Sequence, residues 1–142
     1  MKQWVLWYTV AMKTIETNAP VQKNQKIQID ITALGSDGQG IGRVDGFVVF
    51  VPMALPGEPV EALIIKVTAS YAVGKLISVV APSAQRIEPR CGVFARCGGC
   101  QLQHMSYDAQ LEFKRSLVAD ALRTIGGVTP DVLPTIGMEK DR

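Results

Sequence analysis

This sequence contains few cysteine and histidine residues and carries little net charge. It holds three cysteines and one histidine among 142 residues, and its formal net charge is only +2. The odd number of cysteines, with no convincing secretory signal, argues against a disulfide framework. No apolar run approaches the roughly twenty residues that a membrane-spanning helix needs, so we expect no membrane partner. The weak positive charge permits a nucleic-acid partner but does not by itself indicate one.

The remaining composition is that of an ordinary folded protein. Hydrophobic residues form 47% of the chain and charged residues 20%, which suits one small domain, or one small domain and part of another. Residues 1–24 differ in composition, because a short apolar run is followed by a polar stretch that is typical of the N-terminus of a cytosolic protein. We interpret them as a flexible N-terminal extension and not as a signal peptide. The sequence therefore predicts a cytoplasmic protein, and we expect a monomer.

All three cysteines and the histidine fall within residues 91–104. Cys91, Cys97 and Cys100 are separated by glycines that allow a tight backbone turn, and they have the spacing of ligands to a soft metal centre. A structural zinc site would use His104 as fourth ligand, whereas a four-iron cluster takes four thiolates and needs a further cysteine. The spacing does not decide between these metals. Inert buried thiols are a weaker alternative, because the loop is rich in glycine and has polar flanks.

Residues 25–81 have the pattern of a small β-barrel. Apolar and polar residues alternate in the first predicted strand, which places four residues on one buried face: Ile27, Ile29, Ile31 and Ala33. Further strands are predicted at Phe47–Val51, Val60–Val67 and Tyr71–Val80. Five short strands with tight turns and no helix among them indicate a mainly β fold, a five-stranded OB-like barrel, and not a parallel sheet.

The glycines at positions 38, 40 and 42 resemble the loop of a nucleotide or S-adenosylmethionine site. Such loops lead into a helix whose N-terminus faces the ligand, but β-branched and aromatic residues follow here. We interpret Gly38 to Gly42 as a turn and bulge between strands, with Asp45-Gly46 as a hairpin turn. No cofactor-binding residues are therefore assigned in this chain.

Barrels of the OB type bind single-stranded nucleic acid through stacked aromatic residues and a basic groove. Four residues in the predicted barrel are candidates for such a surface: Arg43, Lys66, Tyr71 and Lys75. The alternative for each is a solvated side chain on the outer face of a strand, and the sequence leaves both open.

A linker and a helix are predicted after the barrel. Two prolines within residues 82–90 indicate a linker that leads to the cysteines. Ser106 is a candidate N-cap, and Asp108 lies in the first turn, where an acidic side chain suits the helix dipole. Apolar residues then recur along one face, so we predict an amphipathic helix over residues 107–125. Residues 128–142 have no strong period and are predicted to be a tail that does not cover that face.

Several segments together resemble the N-terminal part of the bacterial RNA (uracil-5-)methyltransferases, which modify ribosomal or transfer RNA. They are Asp37-Gly-Gln-Gly-Ile-Gly-Arg-Val-Asp-Gly-Phe-Val-Val-Phe-Val51, Leu55-Pro-Gly-Glu58, Pro89-Arg-Cys91, Cys97-Gly-Gly-Cys100-Gln-Leu-Gln-His104 and Tyr107-x-x-Gln110-Leu-x-x-Lys114. The resemblance implies that residues 25–81 are a TRAM domain, an OB-like RNA-binding barrel. It also implies that residues 91–127 are part of an iron-sulfur domain.

The resemblance implies a cofactor and a partner as well. Cys91, Cys97 and Cys100 match three of the four ligands of a [4Fe-4S] cluster, and the family's fourth ligand, nucleophilic cysteine and S-adenosylmethionine domain are not found here. The implied partner is RNA, with ribosomal RNA favoured over transfer RNA, and not DNA. We expect this chain to transfer no methyl group alone, and its residues 91–125 to be poorly ordered without metal. A free-standing RNA-binding module and a small zinc-binding protein remain as alternatives.

Overall fold

The computed structural model describes residues 19–138, which form a five-stranded barrel, a cysteine-bearing loop and a long helix. The strands are β1 (Lys26–Leu34), β2 (Gly40–Val44), β3 (Phe47–Val51), β4 (Pro59–Val67) and β5 (Tyr71–Val79). A short helix α1 (Phe94–Cys97) and a long helix α2 (Tyr107–Thr124) follow. The predicted fold class, a mainly β barrel followed by one amphipathic helix, is confirmed.

The strands close into a barrel in the order β1-β2-β3-β5-β4. Neighbouring strands are antiparallel except β3 and β5, which run parallel. Aliphatic side chains fill the interior, where alternate residues of each strand point inward. Val21 is 2% exposed in this core, so the barrel begins before residue 25. The rest of the predicted extension, residues 1–18, lies outside the described residues.

The predicted alternation of β1 holds over its first half only. Ile29 and Ile31 are 4% and 1% exposed and belong to the core, and Ile27 is half-buried against it. The prediction is wrong for Ala33, which is exposed. The pairing of β1 with β2 shifts register between Ile31 and Ala33, and an irregularity of this kind moves the following side chains out of the alternation.

The glycines of the predicted turn and bulge lie in and beside β2. A Cβ atom at Gly42 would stand 2.7 Å from the carbonyl oxygen of Asp30, so β1 and β2 approach each other too closely for a side chain there. The next turn has positive φ at both central residues, 48° at Asp45 and 82° at Gly46. These angles are typical of a tight hairpin turn. The predicted hairpin turn at Asp45-Gly46 is confirmed, and Gly38 lies in the turn before β2. The predicted bulge is wrong for Gly40 and Gly42, which lie within β2, because the register shift of this strand pair falls on β1.

Helix α2 begins at Tyr107, as predicted, and ends one residue before the predicted end. Ser106 occupies the N-cap position, but its side chain makes no capping hydrogen bond. No residue of α2 is buried, and Val118 and Ile125 are 51% and 88% exposed. Within the described residues, no helix has the length and apolar character to cross a membrane.

The segment that follows α2 turns back and runs along it. Arg115 Nε donates to the carbonyl oxygen of Val132 at 2.8 Å, and Thr135 Oγ1 donates to that of Leu111 at 2.9 Å. Because later tail residues meet earlier helix residues, the two segments are antiparallel. Leu133 and Ile136 in this tail are nevertheless 77% and 97% exposed, so the tail's own apolar side chains are not buried against α2.

Candidate nucleic-acid interface and cysteine loop

Three neighbouring strands carry a row of outward residues across the barrel. Arg43 of β2 is opposite Val48 of β3, and Val48 is opposite Tyr71 of β5. The adjacent pair, Val49 and Ala72, is fully buried in the core. Since successive residues of a strand point to opposite sides of the sheet, the side chains of Arg43 and Tyr71 both point away from the barrel interior.

The two predicted lysines extend the same face. Tyr71, Val73 and Lys75 are alternate residues of β5, and Lys66 of β4 is opposite Val73. Both lysine side chains are exposed, as is that of Arg43. The structure therefore places all four of the residues that the sequence suggested on the outside of neighbouring strands of the barrel. We call the surface formed by Arg43, Phe50, Lys66, Tyr71 and Lys75 the outer face.

An aromatic pair lies at the centre of the outer face. The rings of Phe50 and Tyr71 are 5.5 Å apart between centroids and meet edge to face at 75°, a favourable arrangement for aromatic rings. Phe50 is opposite Val73 and is only half-buried. Sequence analysis missed Phe50, because every residue of Phe47–Val51 is apolar and such a run does not reveal which side chains point outward.

The connection before β5 fixes the backbone of Tyr71. Thr68 donates two hydrogen bonds to the carbonyl oxygen of Tyr71, from its amide at 2.8 Å and from its hydroxyl at 2.7 Å. The amide of Tyr71 in turn donates to Thr68 Oγ1 at 3.1 Å. These bonds hold Tyr71 at the start of β5, so the aromatic surface is formed without a partner. Aromatic rings flanked by cations can stack bases and contact phosphates.

The structure brings two of the three cysteines to one groove. Cys91 and Cys100 line it, whereas the sulfur of Cys97 lies close to Gly99. Cys91 is half-buried, the other two are exposed, and all three are free thiols. Among the described residues, no three His, Cys, Asp or Glu side chains form a group that could hold a metal ion. Three thiols on one short loop are nevertheless three of the four thiolates that a [4Fe-4S] cluster takes.

His104, the fourth ligand of the zinc alternative, is buried. It is 1% exposed and its ring lies 5.5 Å from that of Phe94, between centroids. Neither ring nitrogen has a hydrogen-bond partner. Burial, helped by the positive charge of Arg86, lowers the pKa of His104 to about 4, and the carboxylate of Glu58 opposes this only in part. The imidazole is therefore neutral near pH 7, and none of its described contacts is with a cysteine.

A buried ion pair, which sequence analysis missed, joins the barrel to the predicted linker. Glu58 is fully buried, and Arg86 donates from Nε and Nη2 to its two carboxylate oxygens at 2.5 and 2.7 Å. The amides of Leu55 and Ser83 also donate to this carboxylate. Burial alone would raise the pKa of Glu58, but the hydrogen bonds from Arg86, Leu55 and Ser83, with the charge of Arg86, hold it below its ordinary value.

The predicted linker, residues 82–90, also pairs with the end of the cysteine loop. The amide of Ile87 donates to the carbonyl oxygen of His104 at 3.0 Å, and that of Ser106 donates to Gln85 at 2.8 Å. A short antiparallel bridge between Arg86 and Met105 lies between these bonds. The linker is thus packed on the barrel at one side and on the cysteine loop at the other.

The barrel defines a class of protein. Residues 20–77 match the TRAM domain family, and this range includes Val21 in the barrel core. The predicted TRAM domain is confirmed.

The wider chain is similar to RNA methyltransferases. It is 50% identical over 125 residues to an uncharacterized RNA methyltransferase of Clostridium tetani, and 48% identical over 123 residues to one of Halalkalibacterium halodurans. These matches cover 88% and 86% of this chain. They cover 27% of each relative, so the chain spans about a quarter of the length of these curated relatives. This chain therefore contains a TRAM domain and is similar to RNA methyltransferases over most of its own length, as the sequence motifs predicted.

A solved structure is also similar in sequence. The Pyrococcus abyssi tRNA (uracil-54, C5)-methyltransferase in complex with S-adenosyl-L-homocysteine is 33% identical. The match covers 75% of this chain and 23% of that chain, with a TM-score of 0.46.

Proposed function

We propose that this chain is the RNA-binding and iron-sulfur-binding portion of an S-adenosylmethionine-dependent RNA (uracil-5-)methyltransferase that acts on ribosomal RNA. The observation that carries the proposal is the identity to RNA methyltransferases, which extends over 88% of the chain, well beyond the TRAM domain. The region of identity thus includes both the outer face and the cysteine loop.

The outer face is the proposed site of RNA binding. Bases stack on the exposed parts of Tyr71 and Phe50, and phosphates contact Arg43, Lys66 and Lys75. Stacking of this kind tolerates any base, because every base has a π-face. The outer face therefore supplies affinity for single-stranded RNA, and the selection of one uridine belongs to other parts of the enzyme.

The cysteine loop is the proposed site of a [4Fe-4S] cluster. Cys91, Cys97 and Cys100 would bind it as thiolates, with the fourth ligand supplied from outside this chain. When bound, the cluster would tie the loop together through iron-thiolate bonds. Methyl transfer from S-adenosylmethionine is assigned to the whole enzyme, and we propose that this chain, a cytoplasmic monomer, transfers no methyl group alone.

RNA binding is tested with a labelled, uridine-containing RNA of about 12 nucleotides, a length that spans one barrel of this kind. The proposal expects an affinity that falls steeply as salt rises, because bound phosphates release counterions, and weaker binding to DNA of the same sequence. Undetectable RNA binding at low salt, or equal affinity for DNA, would contradict it.

Two further measurements test the metal and the reaction. Anaerobic reconstitution with iron and sulfide is expected to give up to about four irons per chain, in a labile cluster that is lost in air because the chain supplies only three of the four thiolates. One equivalent of zinc without iron would favour the zinc-binding alternative. Incubation with tritiated S-adenosylmethionine and ribosomal RNA is expected to give no methyl incorporation above background. Incorporation by the purified chain would disprove that part of the proposal.

A further inference from the structure

We propose that Gln110 is a positioning residue, which holds the cysteine loop in its folded shape before any metal binds. The inference rests on the proposed function where it treats the cysteines as metal ligands. Its effect on the loop itself is a property of the metal-free chain.

Gln110 lies in the first turns of α2 and closes the end of the cysteine loop. Its side-chain Nε2 donates to the carbonyl oxygen of Leu102 at 3.1 Å and to that of Met105 at 2.9 Å. A primary amide has two N–H groups, so one side chain satisfies both carbonyls. Gln110 is half-buried and lines the same groove as Cys91 and Cys100. Its two bonds therefore hold the backbone directly after the last cysteine.

The segment that Gln110 holds, residues 102–105, is also hydrogen-bonded to the first cysteine. Gln103, which lies between the two carbonyls held by Gln110, accepts a hydrogen bond from the amide of Cys91 at its Oε1, at 3.3 Å. This bond spans 12 residues and links Cys91, which precedes α1, to the residues after Cys100. Gln110 thereby acts on Cys91 through the backbone that carries Gln103.

The barrel supports the loop from the other side. Leu102 packs on the turn between β1 and β2, where a Cβ atom at Gly38 would stand only 2.7 Å from Leu102 Cδ2. Gly38 also has a φ of 75°, so two independent constraints favour glycine at this contact. The backbone carbonyl of Leu102 is held by Gln110 while its side chain rests on the barrel.

These contacts favour a loop that is partly ordered without metal, whereas the lack of a fourth ligand favours a poorly ordered one, which stays a prediction. In a loop that folds only with its metal, part of the binding free energy is used for folding. A loop that Gln110 already holds in its folded shape needs less free energy to become ordered when metal binds. Its metal affinity should therefore depend on Gln110.

The test compares Gln110→Leu, which keeps similar bulk but has no donors, with Gln101→Leu as a matched control. Gln101 is exposed and makes one bond of 3.3 Å, to the carbonyl oxygen of Gly98. The first readout is amide hydrogen exchange of the metal-free chain. The second is anaerobic Co²⁺ titration, followed by thiolate-to-metal charge-transfer absorption.

In Gln110→Leu we expect the Met105 amide, which donates to the carbonyl oxygen of Leu102 at 3.0 Å, to exchange about tenfold faster. We also expect the affinity for Co²⁺ to fall by about tenfold. Both changes correspond to the net free energy of the lost hydrogen bonds. Gln101→Leu should leave both unchanged within about twofold, and barrel amides should be unaffected in either variant. Equal behaviour of the two variants, or equal acceleration of barrel amides in Gln110→Leu, would overturn the inference. If the unaltered chain binds neither Co²⁺ nor iron, the proposed cluster function fails, while the exchange data still decide the role of Gln110.

Discussion

Glu58 and Arg86 form a buried ion pair that joins the barrel to the segment leading to the cysteines. Both carboxylate oxygens accept from the guanidinium, and the same Arg86 Nη2 also donates to the carbonyl oxygen of Met53 at 2.7 Å. Glu58 is fully buried, whereas the Arg86 side chain is 21% exposed. The pair thus joins two parts of the chain that the sequence presents as barrel and linker, and it keeps the cysteine loop against the barrel.

Arg86→Met is expected to destabilise the chain by about 3–5 kcal/mol, because it leaves the Glu58 carboxylate buried without its charged partner. Urea unfolding measures the change in the free energy of unfolding. The double variant Glu58→Gln, Arg86→Met should be more stable than Arg86→Met alone, since the unpaired charge is then removed.

Arg123→Met is the matched control for the Arg86 substitution. Arg123 pairs with Asp120 at 2.8 Å, but the two side chains are 61% and 64% exposed. An exposed pair of this kind contributes less than about 1 kcal/mol. Similar losses for Arg86→Met and Arg123→Met would show that the buried pair has no special role.

The contribution of Glu58 to stability should be lost in acid. Its folded-state pKa lies below the ordinary value of 4.5, so the unfolded chain takes up this proton first as the pH falls. The contribution is therefore complete above about pH 5 and declines as the pH falls through the folded-state pKa. We expect the unaltered chain to be more stable than Glu58→Gln at pH 7, with a difference that narrows below about pH 4.5. A difference that stays constant, or widens in acid, would contradict this assignment.

The barrel was predictable because its signals are local. The alternation from Ile27 to Ile31 and the Asp45-Gly46 turn specify strand faces and a hairpin over a few residues, and the structure has both. Ala33 was misplaced because a bulge depends on the pairing of two strands. No pattern within β1 alone reveals that shift of register.

The contacts that position the cysteine loop were not predictable in this way. Glu58 and Arg86 are 28 residues apart in the sequence, and two prolines near Arg86 indicated only a linker. Gln110 was quoted as part of a family motif, but its partners are backbone carbonyls, which every residue carries. A side chain that bonds to the backbone leaves no complementary residue in the sequence by which to find it.

His104→Leu is expected to leave the metal-free chain at pH 7 as stable as the unaltered chain, within about 1 kcal/mol, or more stable. The substitution removes two buried nitrogens that lack hydrogen-bond partners, and replacing such groups by apolar ones costs little. His104→Ala is the control, because it opens a cavity beside Phe94 and should cost about 2 kcal/mol or more. The same His104→Leu protein tests the metal. Loss of one bound zinc equivalent on this substitution would favour the zinc alternative, whereas iron binding should survive it.

Tyr71→Ala is expected to weaken binding of single-stranded RNA by about 5-fold to 160-fold, the range that corresponds to one lost base stack. Tyr71→Phe should bind almost as well as the unaltered chain, because the ring and its edge-to-face contact with Phe50 remain. Both variants should fold, since Tyr71 is only half-buried on the outer face and the bonds to Thr68 involve its backbone alone.

The cations of the outer face should determine how strongly the affinity for RNA depends on salt concentration. Lys66→Gln and Lys75→Gln should each reduce the slope of log affinity against log salt by about 0.7, the value for one phosphate contact to a single strand. Lys114→Gln on α2 is the matched control, with an exposed lysine outside the outer face, and should leave the slope unchanged. Fluorescence anisotropy at four or more salt concentrations measures these slopes. An equal reduction in all three lysine variants would indicate that RNA senses only the net charge of the chain, and the outer face would then not be the binding site.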